Sequence, residues 1–187
     1  MIVPPPPPMT TRNVDDAIDD FFARYLASTG GPALAEHDPD EPSPCAVTVP
    51  DVEGMIRWRP VRQAPPCSVE ALGRALRSPL HSDAAAWLTR WWALPVEARW
   101  GDDHLCVNVA ASREGSERQV ARVVDHVKAC HRMRFALSIP VAVGVDGGFF
   151  ALQNDSGEVL FEDHGRPTRA LGCSLAAWLD ALAPLPL

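Results

Sequence analysis

Two predicted strands that meet at a short glycine turn constrain the fold more than any other feature. Residues 141–145 and Phe149–Gln153 are apolar and rich in strand-forming side chains, and only Asp146-Gly147-Gly148 separates them. Turn residues of this kind, between two such runs, close antiparallel hairpins. A second turn, residues 154–157, leads into a third strand at residues 158–162. The pattern therefore predicts an antiparallel meander in the carboxyl-terminal half of the chain.

Further strands and several helices are predicted before and after this meander. The other strands are expected at residues 45–49, Met55–Trp58, Val96–Trp100 and 104–110, the last two joined by Gly101-Asp102-Asp103. Helices are expected after the candidate caps Asn13, Ser68, Ser82 and Ser174, and over residues 82–93, 114–132 and 175–182. This order predicts a single α+β domain over residues 13–187, in which a largely antiparallel or mixed sheet packs against helices.

The first twelve residues are expected to lie outside this domain. Pro4 to Pro8 form an unbroken proline run, which cannot join a helix or a β-ladder. We therefore predict a disordered, proline-rich arm over residues 1–12. The arm lacks the basic start and apolar stretch of a secretory signal, and no apolar run in the chain reaches membrane-spanning length, so we expect a cytosolic protein.

The negative charge of the chain is concentrated near its amino end. Residues 1–53 carry ten carboxylates and two cations, a net charge of −8, whereas residues 54–187 carry fourteen carboxylates and fifteen cations, a net charge of +1. A concentrated negative field favours a basic partner and disfavours nucleic acid. The candidate partner-binding residues are the carboxylates of the first predicted helix and the loop after it: Asp15, Asp16, Asp19, Asp20, Glu36, Asp38, Asp40 and Glu41. The alternative is a solvated helix face and polar loop without a partner.

Sequence patterns for catalysis and for metal or cofactor binding are weak. His81-Ser82-Asp83 contains the residue types of a catalytic triad, but adjacent residues cannot converge like one, and a helix start capped by Ser82 is favoured. His126 and Cys130 lie four apart on a predicted helix, but no carboxylate pattern completes a metal shell. The glycines form neither a phosphate loop nor a dinucleotide motif. We therefore predict no enzyme activity, no metal and no cofactor.

Two further residue groups have structural interpretations. Trp87, Trp91 and Trp92 have helical spacing on the predicted helix at residues 82–93, which favours core packing over a partner anchor, with Trp92 nearest the surface. Asp102 and Asp103 fall in a predicted turn, where solvated aspartates are common. The five cysteines show no C-x-x-C spacing, and we expect free thiols.

Six short stretches give the chain a resemblance to a known family. They are DFFARY at residues 20–25, Pro42-Ser43-Pro44-Cys45, Trp58-Arg59-Pro60, EARWGDDHL at residues 97–105, NDSGEV at residues 154–159 and LAAWLDALAPL at residues 175–185. In order, they are similar to the opening helix, PSPC element, W-x-P element, aromatic-Gly-Asp turn, N-x-S-G-E-V turn and closing helix of the Syd family, the SecY-interacting proteins of the bacterial cytoplasm. The resemblance covers the chain from about Val14 to Leu187.

The resemblance implies a single α+β domain, distantly related to the SUKH fold of immunity proteins. It also implies a non-enzymatic protein that binds the translocation channel SecY and regulates or monitors it. An acidic concave surface would contact basic cytosolic loops of SecY, so association with the membrane would be indirect. The implied location is peripheral, on the cytoplasmic side of the inner membrane, as well as in the cytoplasm, and we expect a monomer.

Two other functions stay open on the sequence. One is an immunity or antitoxin-like protein of related fold, whose acidic surface would cover a basic toxin domain. The other is an uncharacterised hydrolase, for which a deep pocket holding a His or Cys beside a carboxylate would be evidence.

Overall fold

The computed structural model describes residues 12–163 and 166–185. They form a mixed α+β domain with helices α1 Val14–Ser28, α2 Glu70–Leu76, α3 Ser82–Thr89, α4 Arg113–Met133 and α5 Leu175–Ala181. The strands are β1 Ala33–Glu36, β2 Met55–Trp58, β3 Val61–Arg62, β4 Trp91–Trp92, β5 Val96–Trp100, β6 Asp103–Val107, β7 Ser138–Gly144, β8 Phe149–Gln153, β9 Glu158–Asp163, β10 Arg166–Ser174 and β11 Ala183–Pro184. All of the predicted arm except Arg12 lies outside the described residues.

A seven-stranded antiparallel sheet organises the domain. Its strand order is β10-β9-β8-β7-β6-β5-β11, and the predicted meander forms its β7-β8-β9 part. The turn between β7 and β8 requires glycine, since Gly147 has φ of +86° and a Cβ on Gly148 would lie 2.9 Å from the Glu162 carbonyl oxygen. Two small sheets, β1-β2 and β3-β4, complete the strands described. The predicted fold class, α+β with a largely antiparallel sheet, is confirmed.

The first helix begins and packs as its sequence predicts. The Asn13 side chain accepts a hydrogen bond from the Asp15 backbone N–H at 3.0 Å, which satisfies one free donor of the first turn. Phe21, Phe22 and Tyr25 are buried on one face of α1. This face joins the common hydrophobic core, and α1 contacts α5 and α3. Apolar burial thus holds the amino-terminal helix to the rest of the domain.

Two secondary-structure predictions were wrong. No strand forms over residues 45–49, and only Ala46 makes an isolated bridge, to Trp58. The N–H groups of Val47 and Thr48 both donate to the Arg57 carbonyl, so the segment lacks the one-to-one register of a ladder. The helix predicted to residue 93 ends at Thr89, and Trp91 and Trp92 form strand β4, which pairs with β3. Trp92 is buried and Trp91 is half-buried, so the more exposed tryptophan is Trp91.

The helix caps differ slightly from the prediction. His81, rather than Ser82, caps α3, and its Nδ1 accepts from the Asp83 N–H at 3.2 Å. Ser68 accepts a 3.3 Å hydrogen bond from the Glu70 N–H, although the N-cap position of α2 belongs to Val69. All five cysteines are free thiols, as predicted.

Candidate functional site

Asp19, one of the candidate partner-binding carboxylates, binds side chains of the same chain. It accepts hydrogen bonds from Arg90 Nε at 2.9 Å, Arg90 Nη2 at 2.7 Å and the Trp91 indole N–H at 2.7 Å. Arg62 forms a further ion pair with it, and Asp15 contacts the same Arg90 guanidinium at 3.1 Å. These contacts join α1 to the end of α3 and to the β3-β4 sheet. Asp19 is therefore a structural link rather than a free surface charge.

The surroundings of Asp19 favour its ionised form. Hydrogen bonding from Arg90 is the largest influence and lowers the pKa of Asp19 below its ordinary value of 3.8, while burial opposes this change. Only 27% of the side chain is exposed, so solvent screens its ion pairs less than those of a fully exposed pair. The sequence prediction of acidic side chains that face solvent from α1 does not describe Asp19.

The other α1 carboxylates are more accessible. Asp20 pairs with Arg12, yet 60% of its side chain is exposed. Arg12 also binds Asp180 of α5 at 2.6 Å. Asp16 is exposed, and its side chain pairs with no cation in the part of the chain that the structure describes. Asp16 and Asp20 are thus the two α1 carboxylates that an approaching partner could meet directly.

The four predicted carboxylates that follow α1 lie on what we call the acidic loop, residues 36–41. Glu36, Asp38 and Asp40 are exposed. Glu41 is half-buried, pairs with Arg118 and accepts a 3.1 Å hydrogen bond from the Ser112 hydroxyl. Asp38 and Glu41 line a cavity of about 410 Å³ together with Arg118 and Arg122, so its charge is mixed. Between residues 12 and 163, no ion pair or hydrogen bond joins the α1 carboxylates to this loop.

A larger acidic concavity lies where two hairpins of the main sheet end. This hairpin cavity has a volume of about 810 Å³ and is framed by Asp102 from the β5-β6 turn, Asp103 at the start of β6, Asp146 from the β7-β8 turn, and Asp163 at the end of β9. Phe150 and Phe161 add an apolar part to its lining. It thus combines concavity, carboxylates and aromatic surface.

The hairpin cavity holds more negative than positive charge. Arg169 is the arginine of its lining; it binds Asp103 at 3.3 Å and lies over the rings of Trp100 and Phe161, with its guanidinium carbon 5.4 and 5.5 Å from their centroids. Asp102 and Asp146 are exposed, and neither forms an ion pair with a described cation. The wall therefore offers carboxylates that are available to a basic ligand.

Sequence reasoning missed the hairpin cavity because its carboxylates come from separate turns. Strands β6 and β7 pair from Leu105 opposite Gly144 onward, and the Val145 N–H donates to the His104 carbonyl at 3.2 Å. This pairing places the β5-β6 turn beside the β7-β8 turn. The signal lies in the strand order, which brings the Asp102-Asp103 turn, interpreted as a turn with solvated aspartates, beside the turn of Asp146, interpreted only as a hairpin turn.

One buried group resembles hydrolase chemistry in its residue types. His126 Nε2 lies 2.9 Å from the Ser138 hydroxyl, 3.4 Å from Cys130 Sγ and 3.6 Å from Glu162 Oε2. Ser138 and Glu162 both approach the Nε2 atom of His126, and the serine hydroxyl donates a hydrogen bond to Glu162. In a catalytic triad, the serine and the carboxylate bind opposite nitrogens of the histidine ring. Burial raises the pKa of Glu162 and lowers the pKa of His126. Ser138 and Glu162 are fully buried, and neither lines the cavities described above.

Comparison with known proteins places the chain in a family. Residues 13–184 match the family described as "Syd protein (SUKH-2)". The chain belongs to the Syd family. Relatives named "Protein Syd" include one from Pseudoalteromonas atlantica, 30% identical over 181 residues that cover 93% of this chain and 97% of the relative. Others are from Alteromonas mediterranea, 30% identical over 90% of this chain and 94% of the relative, and Aeromonas hydrophila, 29% identical over 91% and 96%.

The match confirms the family resemblance predicted from the six short stretches. It covers nearly the whole described chain, so the seven-stranded sheet and both acidic regions lie within the Syd family match. Across residues 12–163 and 166–185, no helix combines the length and the apolar character needed to cross a membrane.

Proposed function

We propose that this Syd-family protein is a non-enzymatic binding protein that regulates or monitors SecY, and that the hairpin cavity contacts basic cytosolic loops of the channel. The observation that carries the proposal is the concavity of about 810 Å³ framed by four aspartates, two of which, Asp102 and Asp146, have no described cationic partner. Cytosolic loops of membrane proteins are enriched in Lys and Arg. The charge and shape of the cavity are complementary to such a segment.

Many weak contacts account for the affinity of this interaction. An exposed ion pair contributes only about 0–1 kcal/mol. The carboxylates therefore act mainly on orientation and encounter rate. Phe161, which is only half-buried, provides apolar surface in the lining for the stems of bound Lys or Arg side chains. The guanidinium of Arg169 keeps the lining of the cavity ordered through its contacts with Asp103 and with the rings of Trp100 and Phe161.

The eight carboxylates predicted near the amino end are proposed as an outer part of the same interaction. The exposed ones, Asp16, Asp20, Glu36, Asp38 and Asp40, would extend the negative field toward the basic partner. The remaining three, Asp15, Asp19 and Glu41, are less exposed and form ion pairs with arginines of the same chain. They would contribute mainly by fixing the fold of this region.

Membrane association in this proposal depends on SecY. An acidic surface is repelled by the anionic lipids of the cytoplasmic leaflet, so the lipid bilayer alone would not retain the protein. The protein would be peripheral on the cytoplasmic side of the inner membrane when bound and free in the cytoplasm otherwise.

Capture from membranes tests the function. The purified full-length chain is immobilised and incubated with detergent extracts of bacterial inner membranes that contain or lack SecY, at low and high salt. We expect SecY to be retained, with less retention as salt rises, because screening acts over about 8 Å at physiological ionic strength. Failure to retain SecY at low salt, with a cooperatively folded protein, would contradict the proposal.

The family description also supports a second candidate. The matching family is described as SUKH-2, and the SUKH fold that this chain resembles is shared with immunity proteins. An acidic cavity would suit a basic toxin domain as well as a basic channel loop. Retention of a secreted toxin domain, with no retention of SecY in the same capture experiment, would favour this function.

A further inference from the structure

Among the residues that the structure describes, no strand pairs with one edge of β1. The His37 N–H donates to the Gly54 carbonyl at 2.8 Å, and the β1-β2 register pairs Ala35 with Ile56 and Leu34 with Arg57. Hydrogen-bonded pairs alternate along an antiparallel ladder, so Ala35 bonds to β2, whereas the backbone groups of Leu34 and Glu36 point away from it. The register alone therefore predicts an open edge at these two residues.

The contacts of β2 confirm this alternation. Its Arg57 carbonyl accepts from the Val47 N–H at 2.7 Å, on the side of β2 opposite to β1. The backbone N–H groups of Leu34 and Glu36 donate to no described residue, and their carbonyls accept from none. The two-stranded sheet is thus covered on the β2 side and open on the β1 side.

A groove lies along β1 and is largely apolar. Its volume is about 420 Å³, and Leu34, Ala35 and Met55 line it opposite Leu94 and Pro95. Leu34 is 40% exposed, so its side chain is accessible from the groove. Backbone donors and acceptors next to an apolar groove are the requirements for binding an extended peptide by strand addition.

The charge around this groove selects the kind of peptide. Glu36 lies within the groove, and the exposed Asp38 and Asp40 follow it on the acidic loop. Arg118 and Arg122 line the adjoining cavity, which shares Leu94 and Pro95 with the groove, and Arg118 is paired with Glu41. Arg57, opposite Leu34 in the β1-β2 register, donates to the Pro32 carbonyl at 3.2 Å. An extended segment with alternating apolar and basic side chains would therefore place its apolar residues in the groove and its cations beside Glu36 and Asp38.

We propose that β1 binds an extended basic segment of the protein's partner as an added strand, paired to the backbone of Leu34 and Glu36. This inference rests on the proposed SecY interaction for the identity of the partner and adds a second contact to the hairpin cavity. The strand has only four residues, which limits the number of added hydrogen bonds. Most of the specificity then comes from the apolar groove and its carboxylates.

Amide hydrogen exchange in the complex tests the pairing directly. Exchange is measured for the full-length protein alone and bound to detergent-solubilised SecY. We expect the Leu34 and Glu36 amides to exchange at least about tenfold more slowly in the complex, because outward donors become hydrogen bonded. The Ala35 amide, which is already bonded to β2, serves as the internal reference. Unchanged exchange at Leu34 and Glu36 in a complex that forms would overturn the strand addition and leave the SecY interaction intact.

A proline variant separates backbone pairing from side-chain contact. Leu34→Pro removes the outward N–H without removing a hydrogen bond to β2, and proline is tolerated on strand edges. Leu34→Val keeps the N–H and an apolar side chain and is the matched control. The probe is a synthetic heptapeptide of alternating Lys and Val, titrated into each variant by isothermal calorimetry.

The expected results differ for the two variants. Leu34→Pro should weaken peptide binding by about fivefold or more, the value of one hydrogen bond, and Leu34→Val by less than about twofold. The thermal midpoints of both variants are compared, and amide exchange at Glu36 in the unchanged protein with and without the peptide is measured as well. The proposal would be overturned if the unchanged protein does not bind the peptide. It would also be overturned if both variants bind the peptide equally and the Glu36 amide gains no protection from exchange. Either result counts against the proposal even if SecY is captured.

Discussion

The carboxylates of α1 and those of the hairpin cavity are alike in residue type but differ in their partners. On α1, Asp19 is surrounded by two arginines and an indole N–H. At the hairpin cavity, Asp102 and Asp146 have no cationic partner among the residues described, and Asp103 shares one arginine. Carboxylates with internal partners hold the protein together, whereas unpartnered carboxylates around a concavity are available to a ligand.

The difference shows why net charge along a chain does not locate a binding surface. The amino-terminal segment carries a net charge of −8, but Arg62 and Arg90 from outside that segment neutralise part of it in the fold. The hairpin cavity comes from a segment of nearly balanced composition and still gathers four aspartates. Strand pairing and side-chain partners, rather than the sum of charges, determine where negative potential is free.

The largest effect is expected from charge reversal at the hairpin cavity. Asp102→Lys combined with Asp146→Lys should weaken SecY binding by about 30- to 100-fold, because two favourable contacts become repulsive. Binding is measured by surface plasmon resonance with detergent-solubilised SecY. The control combines Asp125→Lys and Asp155→Lys, which changes the net charge equally at exposed positions outside the cavity lining. Equal loss in both double variants would show that only net charge matters.

The second effect concerns stability and is expected on α1. Asp19→Asn should lower the free energy of unfolding by about 1–3 kcal/mol, because Arg90 keeps Asp15 but loses its doubly hydrogen-bonded carboxylate in a half-buried position. Urea unfolding followed by far-UV circular dichroism measures the change. Asp16→Asn, at an exposed position without a described cation, is the matched control and should change stability by less than about 0.5 kcal/mol. Similar values for the two variants would remove the distinction between paired and free carboxylates.

The stabilisation by Asp19 should depend on pH in one direction. Hydrogen bonding from Arg90 lowers the pKa of Asp19 below 3.8 in the folded protein. A group with a lowered folded pKa contributes its full stabilisation above the unfolded pKa and loses it as pH falls through the folded pKa. The stability difference between the unchanged protein and Asp19→Asn should therefore be constant from pH 5 to 7 and shrink below about pH 4. A difference that grows on acidification would contradict this assignment.

The smallest effect is expected from the exposed α1 carboxylates. Asp16→Lys combined with Asp20→Lys should slow association with SecY by about two- to threefold at low salt and leave the dissociation rate unchanged, because these side chains contribute to the field rather than to the contact. Stopped-flow association at several ionic strengths measures this. The effect on the association rate should vanish at high salt, because the screening length becomes shorter as ionic strength rises. A change in dissociation rate instead would place these residues in the contact.

Much of the fold could be predicted from local patterns. The Asp-Gly-Gly turn predicted the β7-β8 hairpin, the Asn13 cap predicted the start of α1, and the helix predicted over residues 114–132 forms as α4. Local patterns failed where pairing is decided by distant residues. The Ala-Leu-Ala-Glu sequence of β1 has helix-forming side chains and becomes a strand only because it pairs with β2. Strand β10 contains Pro167 and Gly172 and register irregularities, so it shows no regular alternation.

The candidate site was less predictable than the fold. The residue types around Asp19 predicted an exposed acidic helix face, because the sequence does not show that Arg90 and Trp91, some seventy residues later, lie beside it. The hairpin cavity depends on the order of strands β6 and β7 in the sheet. Resemblance to the Syd family implied an acidic concave surface but did not assign it to particular residues.

Site-specific photo-crosslinking tests most directly which acidic region contacts SecY. A benzophenone amino acid is placed at position 146, at position 16 or, as a control, at the exposed position 155, and each protein is irradiated with SecY-containing membranes. We predict a covalent adduct with SecY from position 146, and little from positions 16 and 155. An adduct from position 16 with none from position 146 would contradict the assignment of the contact to the hairpin cavity.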